Sequence, residues 1–204
     1  MLDYHHLSEF GSCYPLNLKL SKPHDKVSEV EKNFDFVRYN PRKDIDRWGL
    51  SLTSLDGGMS GVPDLDSLKE YNRENNTSYE EMDFNVPTPA YDIFKEVLDP
   101  YKEWLTRTHI LKLNPSGYFP PHRDSHTLKF FRLIVPLMNT SPPSFTFVLE
   151  DKILNLELGR VHFMQTIKMH YLFNMSVTPS YWLVMNVNCT KESVTKVIRN
   201  LKYS

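Results

Sequence analysis

The sequence predicts a mainly β protein with flanking helices, its core a double-stranded β-helix, or jelly roll. Three observations predict it. From residue 107 onward the chain breaks into seven short β-rich segments, THILKLN, FFRLIVPL, SFTFVLED, KILNLEL, RVHFMQ, MHYLFNM and YWLVMNV, separated by Pro, Gly, Asn or Ser. Seven strands at that spacing favour a sandwich or barrel, and a jelly roll is the natural closed form. The upstream half and the tail instead carry apolar residues at helical spacing. Finally, 204 residues fit one domain with a substantial core.

Taken in order, residues 1–60 mix short apolar runs with Pro, Gly and charge, and RWGLSLTSLDGG (47–58) reads as a strand closed by an Asp-Gly-Gly turn. The segment 63–75 is helical by the spacing of Leu65, Leu68 and Tyr71. A second helix is expected over 88–104, capped by Thr88 with Pro89 at its first position. Pro100 should break or restart it. After the strands, Val194, Val197, Ile198 and Leu201 share one face of a final helix. The expected division is therefore 1–106 as a mixed part packing on the core, 107–188 as the jelly roll, and 189–204 as the terminal helix, all in one domain.

Composition narrows the function. The formal net charge is −1 and Lys/Arg form no dense block, so binding driven by phosphate neutralisation is not expected, and no nucleic-acid partner is assigned. Cys13 and Cys189 are far apart without CxxC spacing, which suits a reducing compartment. No apolar run reaches membrane-spanning length, and the expectation is a cytoplasmic protein with no membrane partner.

Chemistry concentrates in PPHRDSHTLKFFRLIVPL (120–137). His122 and Asp124 alternate, which on a strand places both side chains on one face. His170, on a later segment, can approach from a facing wall. Two imidazoles and one carboxylate leave three metal positions open, the facial triad of non-haem Fe(II) oxygenases. Zinc more often brings Cys or three His, and no Glu stands in clear relation to the triad as the base a zinc hydrolase needs. An isolated HxD is weak, because His126 and His162 are also at hand and any one histidine alone is more often structural. Arg132 is embedded in the apolar FFRLIVPL, where its charge needs a partner.

The order of elements resembles the 2-oxoglutarate/Fe(II)-dependent oxygenase superfamily of the aspartyl/asparaginyl β-hydroxylase-like type, including proline hydroxylase-like and phage-type members. The resemblance covers about residues 105–188 and rests on LNPSGYFPPHRD, FFRLIVPL, LELGRVHFMQ and His170–x₃–Asn174 before YWLVMNV. It implies a cupin-like core and a hydroxylase using Fe(II), 2-oxoglutarate and O2. His122, Asp124 and His170 would be the iron ligands and catalytic centre, and Arg132 a residue that holds a co-substrate carboxylate through its planar fork. The chain departs from many relatives in one place. Where they carry a second Arg ten residues after the distal His, it has Ser180, so either Arg132 takes that task, with Tyr181 or Ser180, or the co-substrate site is altered. For a phage-encoded member the compartment would be the host cytoplasm. The expected substrate is a free amino acid or a peptide or protein side chain, with Asp56, Ser60, Arg123 and His126 as candidate contacts and Lys168 a further inward candidate. A jelly roll that binds metal or carboxylate without turnover is the alternative.

Overall fold

The computed structural model describes residues 3–38, 46–124 and 128–202. Along the chain run α1 (Tyr4–Ser8), β1 (Cys13–Lys19), α2 (Pro23–Asn33), β2 (Val37–Arg38), β3 (Arg47–Ser51), β4 (Thr53–Ser54), α3 (Leu68–Asn75), β5 (Val86–Pro87) and α4 (Lys95–Leu98). There follow β6 (His109–Leu113), β7 (Tyr118–His122), β8 (Phe130–Met138), β9 (Phe145–Leu149), β10 (Lys152–Ile153), β11 (Arg160–Met164), β12 (His170–Asn174), β13 (Ser180–Asn188) and α5 (Lys191–Arg199).

Two antiparallel sheets face each other. The larger has the order β1-β11-β8-β13-β6-β3-β2, the smaller β10-β9-β12-β7. The molecule is mainly β with flanking helices, a jelly roll whose larger sheet is extended by β1, β2 and β3 from the N-terminal half. β13 explains why YWLVMNV is apolar without interruption: both of its faces are covered. Trp182 points between the sheets with Leu111, Ile134, Phe147, Met164 and Leu172. Tyr181, Leu183, Met185 and Val187 point the other way, into a second core with α1, α2, α4 and α5. Leu7, Val30, Val97 and Val194 from those helices are fully buried there.

Several expectations change in detail. Helix 63–75 begins only at Leu68, and 88–104 is a four-residue α4 flanked by 3-10 turns at Tyr91–Phe94 and Asp99–Trp104. The tighter winding follows from Pro100, which cannot donate to an α-helical turn. KILNLEL yields only two strand residues. α2 is unforeseen because its apolar face consists of just Val27 and Val30 in an otherwise charged segment. α5 is where expected, with Thr190 and Ser193 forming a capping box.

Candidate metal centre

The smaller sheet sets the site. Asn174, fully buried, donates through Nδ2 to the carbonyls of Leu113 and Asn114 at 3.0 and 3.1 Å and exchanges backbone bonds with the turn at Ser116 and Gly117. That turn has no room for a larger residue, since a Cβ on Gly117 would meet the Asn114 carbonyl oxygen at 2.7 Å. β7 is thereby clamped to β12, and His122 comes to lie directly opposite His170. A register shift along the pair also turns Phe119 inward, three residues from His122.

β7 ends at His122, so Asp124 is not on the strand that sequence alternation implied. It lies past the strand end, where its N–H donates to the Thr166 carbonyl at 2.9 Å and the carboxylate turns back toward the imidazoles. Asp124 Oδ1 stands 3.7 Å from His122 Nε2 and 4.0 Å from His170 Nε2. It is the one group of three such side chains, among the described residues, with a potential ligand atom from each lying within 4.8 Å of the others.

Tautomers follow from the partners. His122 Nδ1 is 2.8 Å from the Pro120 carbonyl and His170 Nδ1 is 3.0 Å from that of Lys168. A carbonyl only accepts, so each Nδ1 carries the proton and each Nε2 presents a lone pair toward Asp124. Burial, the neighbouring His170 and the charge of Arg47 push the His122 pKa down to about 4, which keeps that ring neutral and able to ligate at neutral pH. Burial opposes ionisation of Asp124, but Arg132 and the two histidines outweigh it and hold the carboxyl below its usual range. Two imidazole nitrogens and one carboxylate oxygen, with no thiolate, fit Fe(II) and leave further positions open.

The three ligands open onto a cavity of about 230 Å³. Phe119, Phe147, Leu111, Leu172 and Trp182 give it an apolar lining. Arg132 lines it too, and its Nε donates to Asp124 Oδ2 at 3.2 Å. Ser180 and Tyr181 are not among the lining residues. Neighbours on a strand face opposite ways: Tyr181 reaches Glu31 on the helix side, while Ser180 is buried at the start of β13, paired with Leu113. Lys168 bonds Ser12 and Glu150 outside. Asp56, Ser60 and Arg123 are exposed and do not line the cavity, and His126 lies outside the described residues. His162 is buried with its Nδ1 on the Arg160 carbonyl, away from the triad.

The opposite wall comes from residues to which the sequence assigned no role. Arg47 is 6% exposed, with Cζ 4.0 Å from the centroid of Phe119. Arg107 is a tie across the rim: Nε donates to the Asp64 carbonyl at 2.9 Å, Nη2 to that of Asp66 at 2.6 Å, and Nη1 to Glu81 at 2.8 Å. Glu81 also accepts from Asn186 at 2.9 Å. Asp64 is buried, which raises its pKa against the bonds from Leu55 N–H and the Ser51 hydroxyl. His109, among Arg107, Arg132 and Arg47, is pushed down to about 3 by burial and those charges.

No protein-family model matches the sequence, and no curated protein does. Among solved structures, the chain is similar to HygX from Streptomyces hygroscopicus with nickel and 2-oxoglutarate bound, at 11% identity and a TM-score of 0.52, covering 92% of this chain and 87% of that one. A second HygX structure, with nickel, 2-oxoglutarate and hygromycin B bound, matches at 10% identity and a TM-score of 0.51, covering 91% and 86%. The non-haem α-ketoglutarate-dependent epimerase SnoN from nogalamycin biosynthesis matches at 10% identity and a TM-score of 0.50, covering 86% of this chain and 77% of that one. At these identities the likeness is one of fold.

Proposed function

We propose that the chain is an Fe(II)- and 2-oxoglutarate-dependent dioxygenase that hydroxylates an unactivated C–H of an amino acid or of a peptide or protein side chain. The observation that carries this reading is the pair of opposed histidines, each with Nδ1 tied to a carbonyl, converging with Asp124 on one cavity. Likeness in fold to HygX, whose structures hold nickel and 2-oxoglutarate, supports it.

His122, Asp124 and His170 would hold the metal, and the guanidinium groups in the cavity meet carboxylates. When bound, Fe(II) and 2-oxoglutarate supply an oxidation in which one atom of O2 enters succinate as CO2 leaves and the other enters the substrate as hydroxyl. This chain's own part is to hold and shield. The carbonyls of Pro120 and Lys168 fix the two rings, Arg132 steers the Asp124 carboxylate, and Phe119, Phe147, Leu172 and Trp182 keep water away. Asp64, Asp66, Ser67 and Glu81 line the side from which a substrate would be read.

The test is succinate formation from 2-oxoglutarate under air with Fe(II), screened against free amino acids and peptide pools. Succinate that rises with one substrate class supports the reading. Metal binding with no succinate under any condition would leave the non-catalytic binding module.

A further inference from the structure

Building on the proposed function, we infer that Arg47, from β3 in the N-terminal half of the chain, anchors the distal carboxylate of the co-substrate, and that Arg132 does not. Among the described residues, three guanidinium groups line the cavity, those of Arg47, Arg107 and Arg132. They differ in what surrounds them. Arg107 spends Nε, Nη1 and Nη2 on the Asp64 carbonyl, Glu81 and the Asp66 carbonyl. Arg132 directs Nε onto Asp124, a metal ligand, and so sits beside the metal position itself. The two carboxyl carbons of 2-oxoglutarate are separated by four carbon–carbon bonds of about 1.5 Å each. With one end of the molecule at the metal, the other therefore needs a cation set back from the triad.

Arg47 is set back by one aromatic ring. Its Cζ lies over Phe119, and Phe119 packs on the His122 ring with 3.9 Å between centroids. The strip joining the two places is apolar: Leu172, the next inward residue after His170 on β12, is paired with Phe119. Such a strip suits the two methylenes between the ends of the co-substrate. Across the larger sheet, Arg47 and Ser180 are both paired with Leu113, so they stand in one row on either side of it. Ser180 provides no cation at that level; Arg47 does. The substrate-facing acids lie at the other end of the same strands, where Ser51 is paired with His109 and bonds Asp64. Four residues along β3, roughly 13 Å, separate the two ends.

Binding decides this without turnover. Manganese-loaded protein is titrated anaerobically with 2-oxoglutarate and with 2-oxobutyrate, which keeps the chelating end and lacks the distal carboxylate. Arg47→Ala is expected to weaken 2-oxoglutarate by about a hundredfold or more, to leave 2-oxobutyrate unchanged, and to retain Mn(II). Arg47→Lys keeps the charge and loses the fork, and about tenfold weaker 2-oxoglutarate is expected. Should Arg47→Ala lose its fold by circular dichroism, Arg47→Lys carries the test by itself. Arg132→Ala should preserve the preference for 2-oxoglutarate over 2-oxobutyrate. An unchanged preference in both Arg47 variants, or its loss in Arg132→Ala alone, overturns the assignment. If manganese-loaded wild type binds neither oxo acid, the proposed function itself fails; if it binds both and Arg47→Lys matches it, only the role of Arg47 fails.

Discussion

The two walls of the cavity are built on different principles. On the metal side, backbone register does the positioning: β7 and β12 pair so that His122 and His170 are opposite, and main-chain carbonyls set both tautomers. On the other side, side-chain charge does it: Arg107 draws in residues 64, 66 and 81, which lie 26 to 43 positions before it, and Arg47 crosses from β3 over Phe119. A wall held by sheet hydrogen bonds tolerates the loss of a side chain with its shape intact. A wall drawn together by the bonds of one guanidinium should lose shape together with that side chain, Arg107.

The contrast is sharpest in a pair of truncations. His170→Ala should abolish tight Mn(II) or Fe(II) binding, exceeding the tenfold to hundredfold that outer partners of a metal are worth, with the apo melting curve nearly that of wild type. Arg107→Ala should do the reverse. It strips two carbonyls of their donor and leaves the half-buried Glu81 only its bond from Asn186, at a cost of about 2–4 kcal/mol in urea denaturation, with metal affinity kept. If Arg107→Ala lost metal and kept stability, the two walls would not be distinct.

A residue that touches both sides gives an intermediate case. Arg132 bonds Asp124 from β8, so Arg132→Ala should lower metal affinity about tenfold, as loss of a partner that orients a ligand does. Competition titration with a chelator reads this directly, and unchanged affinity would make Arg132 a cavity residue only.

Acidification should press on both walls at once, and least per step. His109 is held at about 3 and His122 at about 4, whereas an unfolded chain takes up protons near 6.5. Between those values the unfolded state binds more protons than the folded one. The apo protein should therefore keep full stability above about 6.5 and lose it as pH falls toward 4, by up to about 1.4 kcal/mol per pH unit for each histidine. Denaturation at pH 7, 6 and 5 measures the slope, and His109→Gln should flatten it. A slope that is the same in that variant would mean that His109 already accepts a proton in the fold.

The same division decides what could be read from sequence. Strand texture and the triad were legible, since alternation, turn residues and HxD with a distal His are local patterns. That Asp124 sits past the strand end was not, because its place is fixed by the Thr166 carbonyl some forty residues on. Ser180 and Tyr181 were adjacent candidates, yet strand geometry allows at most one of two neighbours to face a cavity, and on this strand Trp182 lines it while Ser180 does not. Arg107 lay in no motif, and Arg47 stood at the start of RWGLSLTSLDGG with no role assigned to it. That segment reads as a strand, but the place of Arg47 over Phe119 follows only once β3 is seen to join the larger sheet beside β6.

The central claim is that the triad and the cavity together hold Fe(II) and a chelating 2-oxo acid. Anaerobic addition of Fe(II) and then 2-oxoglutarate, followed by visible absorption, tests it most directly. A charge-transfer band that requires both components, and is absent from His122→Ala, Asp124→Ala and His170→Ala, is the predicted result. Fe(II) bound by the wild-type protein with no such band at saturating 2-oxoglutarate, or a band that survives in Asp124→Ala and His170→Ala, would contradict it.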